Sequence, residues 1–428
     1  MQSEKSESKP LKYFDSSWDF RGEDTKYSNH GFHTYPAMMI PQVARRLIET
    51  YGKDSKVMLD PFMGSGTSIL EASLHNNFQR AYGIDINPLA LLIAKVKTTK
   101  LPEESLKQET DKLLGRCSYS IDHLNFSHEG IEVPRFNNID FWFKPKVVRD
   151  LTVIKNEIEE VKDKDIKDFF YVAFSETVRT VSNTRNGEYK LYRIDKDRLI
   201  KHDPNTLQTF SSKLRKNVER MIEYLKVANQ NIDIRLLAED TRKRTSIGNE
   251  EVDLVVTSPP YGDSHTTVAY GQFSRLSLQW LGYDYSMVKD IDRQSLGGIS
   301  SRSLENVLSS PSLQSILYNI SSQDEVRARE VLSFYLDFNK CIKEIDRVTK
   351  AGSHLCFVVG NRTVKGVKIP TDQIIVELFQ MQGKYSHLNT FIRNIPNKRM
   401  PSKNSPTNIK GNHAVTMNEE WIVVMRKL

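Results

Sequence analysis

Between residues 31 and 100 the chain alternates two kinds of pattern, and that alternation leaves few folds open to it. A helix-patterned run from Ile40 to Tyr51 gives way to the strand-like Val57-Met58-Leu59-Asp60, a glycine turn at Met63-Gly64-Ser65-Gly66-Thr67 and a helix through Leu70-Glu71-Ala72. A second strand, Ala81-Tyr82-Gly83-Ile84, stops at Asp85, and Leu89-Ala90-Leu91-Leu92-Ile93-Ala94 supplies the apolar face of the next helix. Strands joined by single helices pair in parallel, so the expected class is α/β. Glycines at such a turn let backbone approach a ligand closely at the carboxyl edge of the sheet, where doubly wound folds place their sites.

The alternation lapses and then resumes. From 101 to 230 the sequence is charged and helix-patterned, as in Asp150 to Val161, Ile166 to Val181 and Thr206 to Lys226, so a helical region is inserted into the sheet. Strand signals return at Asn231 to Ala238, just before Asp240, and at Val252 to Thr257. A helix from Glu325 to Val348, a strand from Ser353 to Gly360 and a last strand from Glu420 to Met425 follow.

The strand at Val252 to Thr257 stops at Ser258-Pro259-Pro260-Tyr261. Proline lacks an amide hydrogen, locks its own φ and biases the preceding residue toward extended backbone. Two in succession hold the carbonyls still. The Pro259 carbonyl beside the Ser258 hydroxyl offers two fixed acceptors, and the Tyr261 ring can stack on a planar substrate. Such a trio suits an exocyclic amino group.

These segments resemble the motifs of the amino-group DNA methyltransferases, in the order cofactor-closing segment, glycine turn, two acids and Ser-Pro-Pro-Tyr, spanning residues 31 to 261. The resemblance implies a Rossmann-like S-adenosylmethionine-dependent methyltransferase sheet with an inserted helical region. It also implies catalytic roles for Ser258, Pro259, Pro260 and Tyr261. Cofactor-binding residues would be Tyr35 and Pro36, then Asp60, Pro61, Phe62, Gly64, Ser65, Gly66 and Thr67, with Asp85 on the ribose, Asn87 beside it and Asp240 on the adenine amino group. The serine form of the motif is most typical of cytosine-N4 enzymes; adenine-N6 methylation is the alternative, followed by an RNA methyltransferase and a subunit without turnover. Other glycine-turn proteins fit less well. No lysine follows Gly66 as a P-loop requires, and Ile69 stands where a dinucleotide fingerprint has its third glycine.

On this reading residues 1–30 form an N-terminal arm whose Trp18 and Phe20 dock on the catalytic domain, 31–100 and 231–428 form that domain, and 101–230 is the insertion. The insertion and a Ser- and Gly-rich stretch at 262–324, expected as a mobile lid or recognition element, are the candidates for reading the target. Within the latter, Thr266 to Phe273 follows the catalytic motif closely enough to join the base pocket.

The formal net charge of +7 suits a polyanionic partner, here double-stranded DNA. Arg185, Lys190 and Arg193 lie in a loop that mixes cations, amides and tyrosines, a combination that holds phosphates and stacks bases. Residues 391–414 carry Arg393, Lys398, Arg399, Lys403 and Lys410 without one acid and read as a second DNA-facing loop. A cognate restriction endonuclease acting on the same site is the further partner expected. Three scattered cysteines argue against a disulfide framework or a metal site, and none follows a proline as the nucleophile of a cytosine-carbon-5 enzyme does. A polar N-terminus and the lack of any membrane-length apolar run point to a soluble cytoplasmic protein.

Overall fold

The structure, a computed structural model, describes residues 11–127, 130–262, 268–305, 308–396 and 417–428, with the backbone of 403–404 and 414–415. Eight strands make the main sheet: β1 (Lys12–Phe14), β2 (Val57–Asp60), β3 (Arg80–Ile84), β4 (Asp233–Leu237), β5 (Val252–Thr257), β6 (Thr349–Val359), β7 (Tyr385–Asn394) and β8 (Glu419–Lys427). Their order is β1-β7-β8-β6-β5-β2-β3-β4. Strands β2 to β6 pair in parallel, whereas β8 runs antiparallel to both neighbours, β6 and β7. From β2 the chain builds outward through β3 to β4 and then returns to lay β5 on the other edge of β2. The carboxyl ends of β2 and β5 therefore flank the point where strand order reverses, and there doubly wound sheets keep their ligand crevice.

Alternate residues of each strand face opposite layers. Leu254 and Val256 join Val43 and Leu47 of α1 (Pro41–Tyr51) and Ile69 of α2 (Thr67–Ser73). On the other face Val255 meets Phe338 and Ile342 in the helix Glu325–Val348. Burial on both faces is why β5 reads as an unbroken apolar run. The third βα unit carries its own stop and start: Asn87 accepts from the Leu89 amide and Pro88 fills the first turn of α3 (Pro88–Thr98).

Between α3 and β4 the chain forms α4 (Glu103–Ser127), α5 (Pro145–Glu159), α6 (Lys164–Val181) and α7 (Thr206–Val227), with short helical turns between them. Their apolar faces do not close on themselves. Leu151, Phe170 and Met221 share one cluster with Leu89 and Ile93 of α3 and with Trp280 of α8 (Tyr270–Trp280). The inserted helices are thus welded to the sheet layer that carries the glycine turn.

Two stretches differ in form from their sequence pattern. Between 268 and 324 the described residues form three helices, α8, α9 (Tyr285–Gln294) and α10 (Pro311–Ser321), which bury Leu276, Trp280, Val288, Ile291, Leu313 and Ile316. Ser310-Pro311, which reads as a breaker, is the start of α10, with Ser310 accepting from the Leu313 amide. The supposed basic loop at 391–414 begins in a strand, because Phe391 to Asn394 complete β7. Arg393 is only 2% exposed and pairs with Glu420 at 2.5 Å, so it faces the core. The arm docks through β1, which pairs in parallel with β7, and through Trp18, buried with its ring 5.2 Å from Phe391. Among the described residues no helix is long and apolar enough to cross a membrane, and no cluster of His, Cys, Asp and Glu could hold a metal ion.

Candidate active site

A cleft of about 930 Å³, open to solvent, lies over the carboxyl ends of β2, β3 and β5. Tyr35 and Pro36 enter it from the segment before α1, while Asp60, Pro61 and Phe62 close β2 beneath it. Gly64, Ser65 and Thr67 of the turn form one wall, and Asp85 and Asn87 follow β3. Asp240 comes from beyond β4, and Ser258 and Pro260 from the end of β5. Gly66, Pro259 and Tyr261 are not on the wall. Gly66 has φ of +78° and caps α2; a Cβ there would sit 2.8 Å from Ala94 Cβ, so this glycine lets the turn lie against α3.

The acids differ in what they hold. Asp60 accepts from the Phe62 amide at 3.0 Å, from Thr257 Oγ1 at 2.6 Å and from Ser68. It thereby clamps the ends of β2 and β5 to α2, and burial raises its carboxyl to about 6. Asp85 accepts from the Gly64 and Asn87 amides at 3.0 and 2.7 Å. Burial, with Asp60 nearby, pushes it up to about 7 despite those bonds. Asp240 is gripped by the guanidinium of Arg242 through both carboxylate oxygens, at 2.9 and 2.8 Å, which holds it below the usual carboxylate range against the opposing effect of burial.

Tyr35 is locked over the turn. Its hydroxyl accepts from Asn87 Nδ2 at 3.0 Å, and Asn87 also donates to Ser274 Oγ at 2.8 Å. The ring stacks on Tyr270 with centroids 5.9 Å apart. The segment just before it is tied to the inserted helices, since Glu176 of α6 accepts from the Thr34 amide and hydroxyl at 3.2 and 3.0 Å. Under the turn, the wholly buried Lys97 donates to Ser65 Oγ at 3.3 Å, and burial pulls its ammonium down to about 7.

At the motif itself, Ser258 Oγ lies 3.3 Å from the Tyr261 hydroxyl, which lies 3.0 Å from Glu420 Oε1 on β8. The Tyr261 ring lies close against Gly360, where a Cβ would come within 2.7 Å of Tyr261 Cδ2. Side-chain bonding therefore turns the phenol away from the cleft toward the sheet.

The family model for N6/N4 methyltransferases, described as DNA methylase, matches residues 1–96. Type II methyltransferase M.MvaI of Kocuria varians is 44% identical over 435 residues, covering 95% of this chain and 93% of its own. The chain belongs to the amino-group DNA methyltransferases. A more distant member, type II methyltransferase M.MjaII of Methanocaldococcus jannaschii, is 23% identical over 58% of this chain and 62% of that one. The methyl donor of these DNA methyltransferases is S-adenosylmethionine.

Other parts of this DNA methyltransferase fall into place around the cleft. Cys341 is on its wall, but burial pushes the thiol well above its ordinary range, so no thiolate is available there. The loop at 182–193 folds back on itself through a Thr184–Arg193 bridge and leans on α8, with Tyr189 6.2 Å from Phe273. Arg185 projects from this loop, 3.4 Å from Glu188 and half exposed; Lys190 lies near its tip, partly exposed. Arg193 lies over the Phe141 ring at 4.1 Å and is partly exposed. Lys398 and Arg399, with Thr266 and Thr267, lie outside the described residues. Sequence reasoning missed Glu420 and Lys97, whose partners are distant in sequence, and Arg242, which stands two residues after Asp240 and carried a local signal.

Proposed function

We propose that this DNA methyltransferase methylates the exocyclic N4 of cytosine in double-stranded DNA, with the target base extruded from the stack into the cleft. The observation that carries the reading is the convergence of Ser258 and Pro260 with the glycine turn and Asp85 in one cleft at the strand-order reversal. The donor set fits the cofactor. Asp60 and Asp85 on one wall would repel a phosphate yet suit a ligand that carries a cationic sulfonium and ribose hydroxyls. Asp85, raised to about 7 by burial, is the acceptor for those hydroxyls.

Bound S-adenosylmethionine supplies an electrophilic methyl group, and the remaining tasks fall to side chains. The amino nitrogen of a nucleobase is a poor nucleophile because its lone pair is delocalised into the ring. Ser258 Oγ and the Pro259 carbonyl, as fixed acceptors, draw on its two N–H bonds and favour the pyramidal form. Fixed dipoles and positioning of this kind accelerate transfer without reorganisation. Tyr35, Tyr270 and Pro260 keep the cleft apolar around that point, and Arg242 holds Asp240 at the adenine end. A base within a duplex is out of reach, which makes extrusion a requirement. Arg185 and Lys190 contact phosphates, while the helical insertion and α8 to α10 read the target. The relatives' designation as type II methyltransferases supports a cognate restriction endonuclease and an intracellular site of action.

The test is nucleoside analysis by mass spectrometry of DNA from cells expressing the chain. N4-methylcytosine is expected; N6-methyladenine would move the reading to the other base, and unmodified DNA would refute it.

A further inference from the structure

We infer that Glu420, at the start of β8, fixes the direction in which the Ser258 hydroxyl donates and so presents serine lone pairs to the target amino group. The inference deepens the reading above and rests on it. Arg393, 2% exposed, holds Glu420 from behind with its guanidinium 2.5 Å from Oε2. A guanidinium only donates and a carboxylate only accepts. The other oxygen, Oε1, therefore accepts the single proton of the Tyr261 phenol across 3.0 Å. Burial and the neighbouring Glu420 hold that phenol well above its usual range, so it keeps the proton it donates.

With its proton committed to Glu420, the Tyr261 oxygen can only accept from Ser258 Oγ, 3.3 Å away. A serine hydroxyl has one hydrogen. Once that hydrogen points at Tyr261, the side of Oγ that lines the cleft carries lone pairs alone, the polarity an N–H donor needs. Without the chain the hydroxyl rotates freely and spends part of its time aiming a hydrogen at the nitrogen it should relieve of one. Glu420 touches no substrate; it is a positioning residue acting through two hydroxyls, and Tyr261 serves here as a relay.

The isosteric probe is Glu420→Gln. Arg393 still requires an acceptor, so the amide oxygen turns to it and the amide nitrogen faces Tyr261. Every donor in the chain then reverses, and the serine hydrogen points into the cleft. Labelled-methyl transfer to DNA is measured beside cofactor binding and melting temperature. We expect kcat to fall about tenfold to a hundredfold, with the DNA KM and the cofactor Kd within about threefold of wild type. Tyr261→Phe leaves the buried ion pair intact and should lower kcat similarly, and the double variant should fall no further than Tyr261→Phe alone. Wild-type kcat in Glu420→Gln, or losses that multiply in the double variant, would overturn the inference. Should Glu420→Gln fail to fold for loss of the Arg393 partner, Tyr261→Phe decides: unchanged kcat overturns it. A wild-type protein that transfers no methyl to DNA would defeat the underlying reading as well, a pattern distinct from any of these.

Discussion

Ser258 and Asp85 sit in the same cleft but in different electrostatic settings, and their substitutions should separate cleanly. Ser258→Ala removes an acceptor needed only as the amino group reacts, so kcat should drop by about a hundredfold to a thousandfold while the cofactor Kd in a titration stays near wild type. Asp85→Asn should do the reverse, raising the cofactor Kd at least tenfold. Its stability effect follows from its titration. Because the folded-state carboxyl is raised from 3.8 to about 7, the folded chain binds more protons than the unfolded chain between those values. Stability from this group therefore falls as pH rises through that window. The cofactor-free Asp85→Asn protein should lose that part of the pH dependence, its melting temperature falling less than that of wild type as pH rises from about 5 to about 8; a pH profile identical to wild type would contradict the account. At this scale the sequence was informative where chemistry is local. Ser258, Gly64 and Asp85 stand where their motifs place them, but Asp240 reads as a free acceptor only until Arg242 is seen closing on it.

The glycine turn shows what one element demands of its neighbours. Gly66→Ala would place a Cβ 2.8 Å from that of Ala94 at a left-handed φ, costing about 1–2 kcal/mol for the backbone plus the displacement of α3. A fall of several degrees in melting temperature and weaker cofactor binding are expected in thermal scans. Elements with a strong period were legible: Glu325 to Val348 is a helix to the residue, and β5 ends where proline stops it. The rest was hidden for identifiable reasons. Helices α8 to α10 are short and separated by Ser and Gly, so their apolar faces become visible only against the core they fill. Strand β7 mixes Ser, His, Asn, Thr and Arg with its apolar residues, and the burial of Arg393 depends on a carboxylate 27 residues later. A count of charges along the chain assigns such an arginine to solvent.

As a whole molecule the protein carries a net charge of +7 and presents Arg185 and Lys190 on a loop beside the cleft. DNA affinity should fall steeply with salt as phosphate contacts release counterions. Replacing Arg185 and Lys190 together by alanine should reduce the slope of log affinity against log salt by about two, read from binding isotherms at several salt concentrations; an unchanged slope would remove the loop from the DNA interface. Shape also imposes an order of events. Tyr261 meets Glu420 across 159 residues of chain, on a strand inserted between β6 and β7. During synthesis the Ser-Pro-Pro-Tyr corner leaves the ribosome long before the carboxylate it is bonded to. A polypeptide interrupted anywhere in that interval carries the motifs without their polarity, so marking of the genome is left to molecules that have been translated through the final strand.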